Sequence, residues 1–200
     1  MLENFQIQNG VLLKYFGADP NVEIPNEVTK IGDHAFEGCE FIKSISIPES
    51  VEEIGVSAFE NCMNLEQITF ASNSKLKIIS ERAFCGCALK ELIFPDSVTQ
   101  IREGAFMPCG ELKKLVLPCN LTYIGESAFE GCENLPEVFI PLSVKRIDSL
   151  AFAYANNMTA YVEASEKPSG WSDVWNCDEF PCKVVWGQTK KPSARMLLHG

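Results

Sequence analysis

LKKLVLPCNLTYIGESAFEGCENL, residues 112–135, holds one complete unit and the first residue of the next. Leu112 returns as Leu135, twenty-three residues later. The Ala128-Phe129 dipeptide inside it recurs as Ala35-Phe36, Ala58-Phe59, Ala83-Phe84, Ala105-Phe106 and Ala151-Phe152, at spacings of 23, 25, 22, 23 and 23. A cysteine follows three residues after each of the first five phenylalanines, at Cys39, Cys62, Cys87, Cys109 and Cys132; in the sixth copy the position is Ala155. A Val/Leu-x-x-Ile step such as Leu121/Ile124 repeats in phase, from Val28/Ile31 to Val144/Ile147. Fixed-period self-similarity of this length is the signature of a solenoid. The two irregular spacings have local causes: two extra residues in ASNS after Phe70, and one residue missing between Cys87 and Leu89. Both fall in turns, where changes of length cost little.

Each unit reads as local structure. Leu112-x-x-Leu115-x-Leu117 contains the alternation of a short strand, and Pro118 ends it by removing a ladder donor. The Val/Leu-x-x-Ile step reads as a second short extended segment or bend. The stretch from Gly-x-x-Ala-Phe to Cys predicts one or two turns of helix, with Asp33, Ser57 and Ser127 as N-caps. Such a unit cannot bury its apolar face alone, so the units must stack, with strands ~4.8 Å apart. The phenylalanines then form an internal ladder.

The unit NL-x-x-I-x-I-P-x-S-V-x-x-I-G-x-x-A-F-x-x-C resembles the BspA-like leucine-rich repeat family. Ser80, Arg102 and Asp148 depart from it at the glycine after Ile. FQIQNGVLLKYFG, from Phe5, resembles the hairpin that opens such domains, and its Asn9-Gly10 is a strong turn signal. KPSGWSDVWN and CKVVWG, within residues 167–187, resemble the segment that closes them. The fold expected is a right-handed, curved solenoid of leucine-rich-type repeats, each coil holding short strands plus a one- to two-turn helix. An N-terminal hairpin cap would span 1–21, about six repeats 22–163, a Trp-containing C-terminal cap 164–187, and a loose basic tail 188–200. Trp171, Trp175 and Trp186 read either as cover for the last coil or as a ligand platform. The resemblance implies adhesion or host and matrix binding when such proteins are displayed on a surface.

Composition narrows the function. Hydrophobic residues make up 46 % of the 200 residues and charged residues 22 %, which suits a packed domain and not a disordered chain. A net charge of −10 repels phosphate backbones and anionic lipid, so neither nucleic acid nor membrane is an expected partner. No apolar run reaches the ~18 residues of a membrane span. The opening residues lack the basic region, apolar core and cleavage site of a secretory signal, so a cytoplasmic location is favoured, with the cell surface as the alternative that the resemblance implies.

Catalytic chemistry finds little to work with. The histidines are His34 and His199 alone, and no HExxH, GxSxG, Walker or GxGxxG motif occurs. No enzyme activity and no cofactor is expected. The five in-phase cysteines read as small apolar core groups. Cys177 and Cys182, enclosing DEFP, read as unlinked thiols, a disulfide, or half of a metal site, though one CxxxxC is weak evidence for zinc. The sequons at Asn120 and Asn157 carry little weight without a secretory signal.

A protein partner is the expected ligand. Residues beside each inward Ile point away from the core. One outward position reads Ser46, Thr69, Ile93, Val116, Phe139, and its neighbour reads Ser44, Gln67, Glu91, Lys114, Glu137. Ile93, Val116 and Phe139 form an apolar patch rimmed by Glu91, Lys114 and Glu137, the composition of a protein interface. The bland alternative is that β-branched and aromatic residues simply suit strands.

Overall fold

A computed structural model describes residues 2–155, 157–177 and 181–189. After a 3-10 turn (Leu2–Asn4), β1 (Phe5–Gln8) and β2 (Val11–Tyr15) form an antiparallel hairpin. Asn9 and Gly10 turn it with φ of 51° and 77°, the left-handed geometry that a two-residue loop demands.

Each of the six periods from β3 to β14 then contributes two strands. The inner alternation of the unit forms β3 (Asn21–Glu23), β5 (Ser44–Ile47), β7 (Gln67–Phe70), β9 (Glu91–Ile93), β11 (Lys114–Val116), β13 (Glu137–Ile140) and β15 (Thr159–Val162). The chain closes this series with β16 (Lys183–Val185). The Val/Leu-x-x-Ile step forms two-residue strands: β4 (Lys30–Ile31), β6 (Glu53–Ile54), β8 (Ile78–Ile79), β10 (Gln100–Ile101), β12 (Tyr123–Ile124) and β14 (Arg146–Ile147). These short strands stack in parallel on the hairpin as one eight-stranded sheet, β1-β2-β4-β6-β8-β10-β12-β14. In the first series, equivalent residues of successive units face each other, as Ile45 faces Ile68 and Leu115 faces Leu92.

The third side of each coil is not helical, which corrects the helix expected there. Among the described residues the only helical stretch is Leu2–Asn4. From His34 to Cys39 the backbone amides alternate in direction. Ala35, Glu37 and Cys39 close tight turns onto Gly32, His34 and Phe36, while Phe36 and Gly38 donate to Ala58 and Glu60 of the next coil at 2.7 and 2.8 Å. A helix would turn every amide back on its own segment. Left-handed φ at His34, Ser57, Arg82, Ser127 and Leu150, between 51° and 60°, also breaks any helical run. Ser57 and Ser127 are thus turn residues and not N-caps, and the Oδ1 of Asp33 accepts from Val56 N in the next coil at 3.0 Å.

The interior is continuous. Phe36, Phe59, Phe84, Phe106, Phe129 and Phe152 are all fully buried and stack in sequence. Ring centroids lie 4.7, 4.9, 5.3, 5.3 and 5.1 Å apart, with interplanar angles of 16° or less. Spacing near the strand repeat shows that backbone ladders set the ring separation. Tyr15 and Phe5 extend the stack at one end, and Trp175 meets Phe152 edge-on at the other. Trp171 and Trp175 are themselves buried, and Trp171 Nε1 donates to Val144 O at 3.1 Å.

Candidate functional site: the strand face

The first series of strands forms the face on which the six predicted residues lie. Inward positions such as Ile45, Leu92 and Val138 enter the core, so intervening residues face outward. Glu91, Lys114 and Glu137 share one outward column. Ile93, Val116 and Phe139 share the other. Ile93 is 51 % exposed, Val116 and Phe139 are half-buried, Glu91 and Lys114 are exposed, and Glu137 is half-buried. Val116 sits directly opposite Ile93 in the β9–β11 ladder, and Lys114 opposite Glu91, whose Oε2 accepts from Lys114 Nζ at 3.1 Å.

The apolar column continues past the residues found by sequence. Tyr161 lies opposite Phe139 and Val185 opposite Tyr161, both half-buried. Sequence reasoning missed them because this part of the chain loses the Ala-Phe and Cys marks. The signal was present: Thr159-Ala160-Tyr161-Val162 alternates in phase with Glu137-Val138-Phe139-Ile140. The opposite end of the face is polar. Ser44 Oγ donates to Asn21 Oδ1 at 2.7 Å, and the hydroxyls of Ser46 and Thr69 are 3.0 Å apart.

The face is segmented into ladders β3-β5-β7, β9-β11 and β13-β15-β16. The break between β7 and β9 follows the ASNS insertion and the single deletion, which leave Gln67 and Glu91 twenty-four residues apart instead of twenty-three. An open groove of about 810 Å³ lies there, lined by Thr69, Phe70, Lys90, Glu91, Ile93 and Phe94 among others, and so it borders the apolar column. Between β11 and β13, Pro136 stands where Glu66 and Lys113 donate to the preceding coil, and it has no N–H to give.

The ladder cysteines are structural. Cys62 Sγ donates to Phe36 O at 3.1 Å, and Cys87 Sγ to Phe59 O at 3.2 Å. Burial pushes the Cys62 and Cys132 thiols up to about 12 and those of Cys87 and Cys109 well above the usual range. Cys177 is half-buried, and Cys182 is buried and accepts from Asn176 Nδ2 at 3.6 Å. No group of three or more His, Cys, Asp or Glu that could hold a metal occurs among the described residues. His34 is exposed, with Nδ1 3.0 Å from Glu37, and His199 lies outside the described residues. No helix among the described residues is long and apolar enough to cross a membrane.

A coil built on this period and stack matches a known repeat. The BspA type leucine rich repeat region is matched in six copies, over residues 18–75 and 70–167. The chain belongs to the BspA-type leucine-rich repeat family. Its solved structural relatives include the T. pallidum leucine rich repeat protein, 27 % identical, with a TM-score of 0.78 over 98 % of this chain and 94 % of that one. A leucine rich cell surface protein from Faecalibacterium prausnitzii is 28 % identical, with a TM-score of 0.58 over 82 % of this chain and 52 % of its own. This BspA-type chain therefore spans about half of that relative. A leucine-rich repeat protein from Eubacterium ventriosum, 24 % identical with a TM-score of 0.63 over 82 % of this chain and half of its own, shares the fold. No curated protein matches the sequence.

Proposed function

We propose that the chain is a non-catalytic module that binds a partner protein through its strand face. Ile93, Val116 and Phe139 would make the apolar contact, and Glu91, Lys114 and Glu137 the charged rim. The observation that carries this reading is the apolar column from Ile93 to Val185, bordered by a groove and set on a rigid stack of ladders. Apolar side chains held outward on paired strands offer a preorganised contact surface, which lowers the ordering cost of association. Membership of a repeat family used for protein interaction supports it. The test is the triple variant Ile93→Ser, Val116→Ser, Phe139→Ser. It should keep the wild-type melting behaviour and lose the partner that the wild type retains in a pull-down. A variant that still retains the partner rejects the strand face, and one that unfolds shows that these side chains are core.

A second reading is adhesion at a cell surface, to host or matrix components. The F. prausnitzii relative, described as a cell surface protein, favours it. Surface labelling of intact cells that express the protein separates the two settings: an adhesin is labelled and an internal module is protected.

A further inference from the structure

The N-terminal end of the solenoid is closed on one sheet and open on the other. The hairpin continues the eight-stranded sheet, since β2 pairs with β4. The strand face has no such addition: β3 pairs with β5 on one side and with no described strand on the other. Ile24 N donates to Ser46 O at 3.1 Å, and Pro20 O accepts from Ser44 N at 3.0 Å. Even-numbered residues of this segment therefore turn their backbone groups toward β5, and Asn21 and Glu23 turn theirs toward the free edge. Both residues are exposed.

A cavity of about 510 Å³ lies over this edge. Half-buried Phe5, packed beside the buried Tyr15 and Val22, gives it an apolar side, and Asp19 and Glu23 give it negative charge. No lysine or arginine lines it. An open strand edge is a template for another strand, and main-chain pairing with alternate side-chain pockets is a recurring mode of peptide capture.

We infer that the β3 edge takes an extended segment of a partner protein in which apolar and basic residues alternate, added as one more strand. The pleat sends every second side chain of the incoming strand in line with Val22, toward Phe5 and Tyr15. The others line up with Asn21 and Glu23, where a lysine or arginine meets Glu23 and Asp19. This site is separate from the apolar column, which begins at Ile93.

The test uses the full chain and a fluorescent peptide, Lys-Val-Lys-Val-Lys-Val-Lys, read by anisotropy. Three further arms locate it: the same peptide N-methylated at alternate amides, the variant Asp19→Lys with Glu23→Lys, and the triple serine variant of the strand face. Saturable binding is expected, lost on N-methylation, weakened about tenfold or more by charge reversal, and unchanged in the serine variant. No saturation by about 1 mM peptide overturns the inference. So does equal binding of the N-methylated peptide, which would reduce the effect to charge, or equal binding by the charge-reversed variant. Loss of binding in the serine variant moves the peptide to the other surface and also overturns it. The N-methylated arm uses wild-type protein, so it decides even if the charge variant folds poorly.

Discussion

The Sγ of Cys87 donates to the carbonyl oxygen of Phe59, one coil earlier, at 3.2 Å. The same Phe59 carbonyl accepts from the backbone N of Cys62 at 3.2 Å. The thiol therefore uses a second lone pair of an acceptor sealed inside the stack, and the aromatic and thiol columns are one structure. Serine or alanine could not do both jobs as well: alanine drops the donor, and serine brings a more strongly hydrated group into an apolar interior.

Thiol reactivity should follow this division. Cys119 is exposed, and in the native protein at pH 8 it should react readily with a thiol reagent. Cys62, Cys87, Cys109 and Cys132 should be protected until the protein unfolds, because burial disfavours their thiolates. Mass spectrometry of alkylated peptides checks this, and early labelling of Cys109 would contradict it.

Stability should fall in alkali. The native state holds the Cys62 and Cys132 protons up to about pH 12, whereas an ordinary thiol near 9 releases them in the unfolded chain. Native protein then binds more protons than unfolded protein between those values, so stability declines as pH rises. The contribution is fully present below pH 9 and is lost progressively toward pH 12. Urea unfolding at pH 7.5, 9.5 and 10.5 measures it, and Cys132→Ala should show a shallower decline than wild type.

Truncating the ladder should be costly in a way that trimming the outer face is not. Phe106 is fully buried between Phe84 and Phe129, so Phe106→Ala should cost about 3–5 kcal/mol in urea unfolding. Ile93→Ser, on an exposed position, should change stability by less than about 1 kcal/mol. Equal losses would mean that the inward and outward assignments are wrong.

Tyr154 is among the non-glycine residues held in the left-handed region. Tyr154 has φ of 60° and is 52 % exposed, at the turn position that Gly38, Gly86 and Gly131 fill in other coils. A left-handed bulky residue costs roughly 1–2 kcal/mol, partly offset by the extra unfolded-state freedom of glycine. Tyr154→Gly should therefore stabilise the protein by about 0.5–1 kcal/mol, seen as a rise in melting temperature.

Much of this was legible in the residues because the repeat multiplies each weak local signal. One Leu-x-x-Leu-x-Leu run is ambiguous, but the same run in phase with Ala-Phe and Cys fixes what faces inward. The failure at Asp33–Cys39 is instructive. Its composition suits a helix, but the amides of Phe36 and Gly38 find better-placed acceptors in the neighbouring coil, an option that sequence read one unit at a time does not display. Tyr161 and Val185 were missed where the marks fade. The open edge at Asn21 and Glu23 was invisible because it depends on which sheet the hairpin joins.

Site-specific photo-crosslinking tests the binding claim most directly, since it captures whichever protein touches the labelled side chain. A benzophenone side chain placed at position 93, on the apolar column, should give a covalent adduct of higher mass in cells that express the protein. The same group at position 77, beside the eight-stranded sheet, or at position 34 on the turn side, should give none. Adducts at position 77 or 34 with none at position 93 would contradict the strand face as the site of partner binding.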